Sequence, residues 1–247
     1  MTKTTTIVGV LTGLCLSLAT HAAAQTLPAP LTQGYLNVNF GAQPPTRTFT
    51  TSGSLPVYGE QATFEAGHHV SNGPIFDVNG GVRVRPSIGI GAGFTTFTAK
   101  KDATTIHSSV PSPLFFNSPQ IQDQTVPDLN HSERAFYIQA VYFVPITDKF
   151  EVTAGVGPAF FKVKQDLVSR IEVPAGTQAA VPIVESLSKT AVGVIAGFDL
   201  NYLFTPRIGA GLFVRYAGAT ADFEDSVPGL TLKAGGAQAG LGLRVRF

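Results

Sequence analysis

The sequence predicts an all-β protein, a closed antiparallel eight-stranded transmembrane β-barrel. Apolar and polar residues alternate with a period of two from Gln33 onward, the pattern of strands with two unlike faces. Short and long connections also alternate, as in membrane barrels with tight turns at one rim and long loops at the other. The segments predicted as long loops are Gln43 to Glu60, Lys100 to Ser132, Asp166 to Ser186 and Ala221 to Leu230. No apolar run reaches the roughly 20 residues that a membrane-spanning helix needs, although only 13% of the residues are charged.

The N-terminal segment has the features of a cleavable signal peptide. Lys3 supplies a positive charge, Ile7 to Ala19 is almost wholly apolar, and Ala22 to Ala24 offers the small residues that signal peptidase requires. An N-terminal membrane anchor fits less well, because the apolar stretch is short and ends in alanines. We therefore predict a removed signal peptide at 1–24, a short N-terminal lead at 25–32, and a barrel at 33–247.

Loss of this segment would remove Cys15, the only cysteine, and Lys3, its only Lys, Arg, Asp or Glu. The mature chain would then have no disulfide framework. It would also carry equal numbers of acidic and basic groups, which gives no electrostatic reason to expect nucleic acid as a partner.

Eight strands follow from the alternation and the turn residues. They are Gln33 to Gly41, Ala62 to Val84, Ser87 to Thr98, Glu133 to Val144, Phe150 to Val163, Leu187 to Phe204, Ile208 to Ala219, and Thr231 to Phe247. The second exceeds the roughly ten residues of one membrane crossing. Asn72-Gly73-Pro74 could form a turn inside it, but the strand number would then be odd, so we predict a bulge.

One face of each strand is apolar and is predicted to meet lipid, whereas the other is polar and faces the lumen. The predicted lumen network comprises Asp77, Arg83, Arg85, Glu151, Asp199, Asn201, Arg207, Arg215, Arg244 and Arg246, with Asn37, Asn39 and Asn79. Side chains can fill the interior of eight strands, so paired charges would plug it. The alternative is a path for a small solute or ion, biased toward anions by the surplus of arginine.

Inward glycines leave both alternatives open. The lumen-facing set includes Gly89, Gly91, Gly93, Gly155, Gly157, Gly193, Gly197, Gly209, Gly211, Gly240 and Gly242. They would either leave a cavity or ease strand coiling and close packing.

The last strand, Gly240 to Phe247, resembles the C-terminal assembly signal of bacterial outer-membrane proteins. Its terminal aromatic Phe247 is preceded at every second position by Val245, Leu243 and Leu241. The resemblance implies that these four residues engage the barrel-assembly machinery.

The mature chain as a whole resembles the eight-stranded outer-membrane barrels of the OmpA, OmpX and OmpW type. This resemblance lies in the pattern of strands and connections across Gln33 to Phe247. Two features depart from it: Trp is absent, so any aromatic girdle must use the 18 Phe and 6 Tyr, and we expect no C-terminal peptidoglycan-binding domain. The resemblance implies a Gram-negative outer-membrane location with membrane lipid around the barrel.

These features predict a non-enzymatic protein without metal or cofactor, acting structurally or as a narrow passive conduit for a small solute or ion. The alternative is an adhesin or recognition barrel that displays its loops to an external ligand. Lys100 to Ser132 suits this alternative, because its prolines and its Leu114-Phe115-Phe116 run are typical of a partner-contacting or flexible loop. A rim-sited hydrolase using His131 and Ser132 is a third hypothesis. Adjacent histidines on a strand point to opposite faces, so His68-His69 is a poor metal pair.

Overall fold

The computed structural model describes residues 34–44, 47–99, 101–224, 227 and 230–247. The predicted signal peptide and N-terminal lead lie outside these ranges. No helix in the described chain is long and apolar enough to cross a membrane. The described strands are β1 (Gly34–Gln43), β2 (Arg47–Val57), β3 (Glu60–Val70), β4 (Gly73–Arg85), β5 (Ile88–Thr98), β6 (Asp102–Val110), β7 (Gln120–Leu129), β8 (His131–Pro145), β9 (Phe150–Glu172), β10 (Val181–Leu203), β11 (Ile208–Asp222) and β12 (Thr231–Arg246).

Eight of these strands pair in an antiparallel ring, in the order β1-β12-β11-β10-β9-β8-β5-β4. β1 closes the ring because it pairs on both sides: Asn37 lies opposite Arg244 of β12 and opposite Asn79 of β4. Closure leaves no free sheet edge where strands are paired on both sides. The predicted eight-stranded antiparallel barrel is confirmed.

Tight connections join the ring strands at one end, which we call the turn end. Pro86-Ser87 links β4 to β5, and residues 146–149 and 204–207 link the next two hairpins. In the latter two, a threonine hydroxyl accepts hydrogen bonds from following backbone amides: Phe150 N to Thr147 Oγ1 is 3.0 Å and Ile208 N to Thr205 Oγ1 is 3.0 Å. Such side-chain caps satisfy amides that a turn would otherwise leave unpaired.

A second sheet, β2-β3-β6-β7, stands at the opposite loop end. The predicted bulge at Asn72-Gly73-Pro74 is wrong, because the strand ends at Val70 and a new strand begins at Gly73, with Ser71-Asn72 as the connection between β3 and β4. This connection leaves the number of ring strands at eight, since β3 belongs to the second sheet. There it pairs with β2 across the Tyr58-Gly59 turn, where both residues have positive φ. The argument that a turn here would make the strand number odd failed, because it assumed that every strand belongs to the barrel.

The long segments predicted as loops are largely strands. β2 lies within Gln43 to Glu60, β6 and β7 lie within Lys100 to Ser132, and β9 and β10 continue as a hairpin through much of Asp166 to Ser186. The prediction of an irregular loop is therefore wrong in these places. Their strands are rich in Ser, Thr and Gln, so they lack the clear apolar face from which strands are recognised.

His68 ties the second sheet to the extension of β9. Its imidazole is buried, stacks on Phe49 with ring centroids 4.7 Å apart, and lies 3.0 Å from the hydroxyls of both Thr51 and Thr104. The Thr51 hydroxyl donates to the Val168 carbonyl at 2.8 Å, so it can only accept from His68 Nε2. Nε2 of His68 therefore carries a proton. Burial lowers the pKa of the ring from 6.5 to about 4, so at neutral pH Nδ1 is unprotonated and accepts from the Thr104 hydroxyl.

We expect this histidine to make the second sheet acid-sensitive. In the unfolded chain His68 would bind a proton below about pH 6.5, whereas in the fold it stays neutral to about pH 4. Its contribution to stability is complete above that window and is lost as the pH falls through it. After correction for the intrinsic pH dependence of amide exchange, the protection of β2 and β3 against hydrogen exchange should therefore decrease from pH 7.5 to pH 4.5 by more than that of β10 and β11.

A His68→Phe variant, which keeps the aromatic stack, should show a smaller pH dependence. The exposed His107 provides the control, and His107→Gln should behave as the unmodified protein does. An unchanged pH dependence in His68→Phe would contradict the assignment.

Candidate functional site

The half of the barrel interior toward the turn end is filled by a charged network centred on Asp77. Arg215 donates to both Asp77 carboxylate oxygens at 2.7 and 2.9 Å, and the Tyr137 hydroxyl donates at 2.6 Å. The amides of Asn39 and Asn79 donate to the same carboxylate at 2.7 and 2.8 Å. Paired, fork-shaped contacts of this kind are the strongest that arginine makes with a carboxylate.

Arg244 crosses the lumen as a second hub and is almost completely buried. Its guanidinium donates to Asn201 and Asn39 at 2.6 Å each, and to Asp199 at 3.1 Å. Three strands therefore meet at this one side chain, which fixes the polar face of β12 against β1 and β10.

Nearer the turn end, two arginines share one carboxylate. Arg83 and Arg246 both donate to Glu151, and all three side chains are less than a tenth exposed. Arg83 also lies over the Phe143 ring, with its guanidinium carbon 3.9 Å from the centroid.

Of the ten charged and amide residues first named for the predicted lumen network, eight lie in the interior, whereas Arg85 and Arg207 do not. Both are exposed at the turn end, which corrects their assignment. Arg85 follows a register irregularity in β4, and Arg207 belongs to the turn after β10. The prediction extended the alternation past the regular part of each strand. At this rim a charged side chain can reach water and does not need a partner in the lumen.

The inward glycines make room for large neighbours instead of leaving a void. An added Cβ would come within 2.4 Å of the Tyr137 ring at Gly93, 2.6 Å of Arg244 Nε at Gly211, and 2.2 Å of Asn39 Oδ1 at Gly242. Contacts this short cannot be accommodated without displacing the network. The cavity that glycine content alone allowed is therefore occupied by the network's own side chains.

An apolar cluster fills the half of the barrel toward the loop end. Its buried members include Tyr137, Phe161, Val163, Leu167, Ile195, Phe223, Val227, Leu230 and Leu232. Phe223 and Leu230 hold the connection between β11 and β12 over this cluster, with Phe223 N donating to the Leu230 carbonyl at 2.9 Å. A lumenal cavity beside Tyr137, Asp199 and Arg215 measures about 20 Å³, which is room for about one water molecule.

The proposed hydrolase residues do not form a catalytic group. His131 Nδ1 lies 2.6 Å from Gln165 Oε1, and Nε2 lies 2.9 Å from Glu133 Oε1, so both ring nitrogens are engaged. Ser132 is the intervening residue of the strand and points to the opposite face. Glu133 also accepts from Arg47 and from the Gly235 amide, at 2.9 and 2.7 Å. The absence of enzymatic activity nevertheless stays a prediction.

The apolar residues of the C-terminal strand lie on its outer face. Leu241, Leu243 and Phe247 are 63%, 49% and 69% exposed, and Val245 is half-buried. Phe247 exchanges two backbone hydrogen bonds with Gly34, of 2.7 and 3.0 Å. These residues are placed at the seam where the ring closes, and their engagement by the assembly machinery stays a prediction.

Outward side chains are apolar along the ring strands, as at Val194, Phe198, Leu212 and Val214, which are 59%, 59%, 58% and 62% exposed. The sequence profile of the outer membrane protein beta-barrel domain matches residues 10–244. The chain belongs to this family. It is an outer-membrane protein, and in this class of barrel short turns lie on the periplasmic side and long connections lie outside the cell.

Solved structures with similar folds include those of three bacterial proteins. Neisserial surface protein A is 12% identical (87% of this chain, 97% of that chain, TM-score 0.46), OprG of Pseudomonas aeruginosa is 8% identical (87% and 96%, TM-score 0.45), and Ail of Yersinia pestis is 15% identical (86% and 98%, TM-score 0.40). No curated protein sequence matches the chain. The family membership rests on the sequence match.

We expect the buried Asp77 to Arg215 pair to dominate the stability of this outer-membrane barrel. An Arg215→Ala variant leaves a buried carboxylate without its cation, which costs about 3 to 5 kcal/mol in comparable cases. The measurement is the urea concentration at which half of the protein, refolded into lipid vesicles, has lost the compact form that is seen on gels when the sample is not boiled.

The matched control is Arg85→Ala, which removes the same charge from an exposed site and should leave the midpoint unchanged. Equal midpoints for the two variants would show that the pair contributes no more than a surface arginine.

Proposed function

We propose that this protein is a surface-recognition protein whose barrel is an anchor and whose external sheet presents an apolar tip to a protein partner outside the cell. The observation that carries the proposal is the tip itself. Leu114, Phe115 and Phe116, between β6 and β7, are 82%, 68% and 74% exposed. Adjacent apolar side chains turned to water are a common mark of an interaction site.

The tip is held in a defined conformation. The Ser112 hydroxyl accepts from the amides of Leu114 and Phe115, at 3.2 Å each. Asn117 has a φ of 56° and its amide donates to Glu60 Oε1 at 3.1 Å. A loop whose backbone is fixed while its apolar side chains remain exposed loses little conformational entropy when it binds.

Neighbouring external hairpins support this tip. The Tyr58 hydroxyl lies 2.9 Å from the Thr177 carbonyl, which joins the β2–β3 turn to the β9–β10 turn. Gln178 donates to the Ser118 and Val110 carbonyls at 3.3 and 3.4 Å, and Gln124 donates to the Ala180 carbonyl at 2.7 Å. The tip therefore stands on a platform that is continuous with the barrel wall.

The chemistry around the tip favours a protein pocket over a lipid surface. The charged side chain that contacts the tip is Glu60, and a carboxylate is repelled by anionic membrane lipid. The amide side chain of Gln178 donates to the Ser118 carbonyl beside the tip, and that of Gln122 donates to the Gln178 carbonyl. An aromatic centre with a polar rim is the usual anatomy of a protein–protein contact.

The filled interior supports recognition over conduction. An ion path needs a continuous hydrated lumen, whereas here a charged network occupies one half and an apolar cluster the other. Moving an ion through that apolar half would require desolvating it.

We expect replacement of the tip's apolar side chains to weaken adhesion. Cells displaying the unmodified protein should bind at least one member of a panel of immobilised extracellular-matrix and serum proteins. A variant carrying Leu114→Ser, Phe115→Ser and Phe116→Ser should bind at least tenfold less, because each buried apolar side chain contributes about 1.5 to 3 kcal/mol.

Ile121→Ser is the control, since Ile121 is 79% exposed on the adjacent strand but lies outside the tip. Equal binding by the tip variant, or binding only to phospholipid vesicles, would contradict the proposal. Stable channel events from the unmodified protein in planar bilayers would favour the conduit.

A further inference from the structure

A patch of basic residues lies on the outer surface of the barrel at its external boundary. Arg134 of β8 lies directly opposite Lys162 of β9, and Lys164 lies two residues further out, opposite Ser132. All three basic residues are exposed and belong to the outward-facing set. Side chains directly opposite in an antiparallel pair have Cβ atoms about 5 Å apart, so one small anion can contact all three.

The two paired cations are not neutralised by the protein. Within the described ranges, no ion pair involves Arg134 or Lys162. Asp166 lies beyond Lys164 and its negative charge interacts with that lysine, while its carboxylate also accepts from the Asn130 amide and side chain, at 3.1 and 2.8 Å. Like charges placed directly opposite each other repel, so this arrangement favours an external anion.

Hydroxyl groups flank the basic residues on both sides. Thr96 lies opposite Arg134 and Thr190 lies opposite Lys162. Thr98, Ser132 and Ser188 follow in the next row outward, around Lys164. These side chains add hydrogen-bonding groups that suit phosphate oxygens and sugar hydroxyls.

Apolar aromatic residues lie immediately below the patch, toward the membrane centre. Phe94, Phe136 and Phe160 occupy consecutive positions across β5, β8 and β9 and are 44%, 49% and 47% exposed. The ligand surface is therefore amphipathic, with aromatic rings for acyl chains and cations for a headgroup. The outward residues at the external ends of β1 and β4 are Phe40, Ala42, Pro74 and Phe76, none of them charged, and the external end of β12 carries the exposed Lys233.

We propose that Arg134, Lys162 and Lys164 form a binding site for the phosphorylated sugar headgroup of a membrane glycolipid in the outer leaflet. The phosphate contacts the cations, the sugar contacts the flanking hydroxyls, and the acyl chains lie against the phenylalanines. Basic side chains near an anionic membrane surface each strengthen binding by about fivefold. The site therefore fixes one lipid on one side of the barrel.

The test uses native mass spectrometry of the full mature chain, refolded in a neutral detergent. The probe is a synthetic bis-phosphorylated diglucosamine lipid, compared with its dephosphorylated form. The unmodified protein should retain one phosphorylated lipid, and a variant carrying Arg134→Gln, Lys162→Gln and Lys164→Gln should bind it at least tenfold more weakly. Neither protein should retain the dephosphorylated lipid.

The matched control removes three exposed cations at the periplasmic rim, with Arg85→Gln, Lys149→Gln and Arg207→Gln. It should bind the lipid as the unmodified protein does, and heat-modifiable mobility should show that every protein is folded. Equal retention by the patch variant, or an equal loss in the rim control, would overturn the proposal. Competition by glucosamine 1-phosphate with the same affinity as the lipid would assign the site to a soluble sugar phosphate and overturn the membrane source.

Discussion

An unpaired charge cannot be tolerated inside a narrow ring of strands that is surrounded by hydrocarbon, and this constraint organises the whole protein. Each interior arginine has a carboxylate partner: Arg215 has Asp77, Arg244 has Asp199, and Arg83 and Arg246 share Glu151. Removing one member of such a pair costs more than the pair contributes, because the remaining charge stays buried. The strands that supply these residues are therefore held in one register, with their apolar residues outside.

The same ion pairs limit which surfaces of the protein are available to bind other molecules. Filling the lumen with ion pairs and an apolar cluster leaves the barrel wall and the external sheet as the surfaces that meet other molecules. β9 and β10 extend well beyond the ring, and β2, β3, β6 and β7 use that extension as a support through His68 and its threonines. Recognition at the tip and lipid binding at the wall are compatible, since they use separate surfaces.

Sequence reasoning succeeded where a residue's face alone decides its environment. The alternation predicted that one apolar face of each ring strand forms the outer surface, and Asp77, Arg215 and Arg244 were assigned to the interior for the same reason. It failed at Arg85 and Arg207, where the strand ends and the odd or even position of a residue no longer decides which face its side chain lies on. It also missed the second sheet, because an exposed strand such as β7 has no buried face to produce a pattern.

Contacts between distant residues lay beyond sequence reasoning. Nothing in the sequence pairs Glu133 with Arg47, or places Thr51 and Thr104 on either side of His68, because these contacts depend on how two sheets dock. The inward glycines were equally ambiguous, since a missing side chain leaves a cavity unless a neighbour such as Tyr137 enters the space. The basic patch required the register of β8 and β9, which brings Arg134 opposite Lys162.

The central claim is that apolar side chains face lipid while the interior is sealed, and nitroxide accessibility tests it most directly. Cys15 is the only native cysteine and lies in the predicted signal peptide, so single cysteines can be introduced at Leu212, which is 58% exposed, and at Ala217, which is fully buried. In lipid vesicles, a spin label at Leu212 should collide readily with oxygen dissolved in the membrane and little with an aqueous nickel chelate, whereas a label at Ala217 should be shielded from both. A label at Leu212 that meets the nickel chelate, or is shielded from membrane oxygen, would contradict the account.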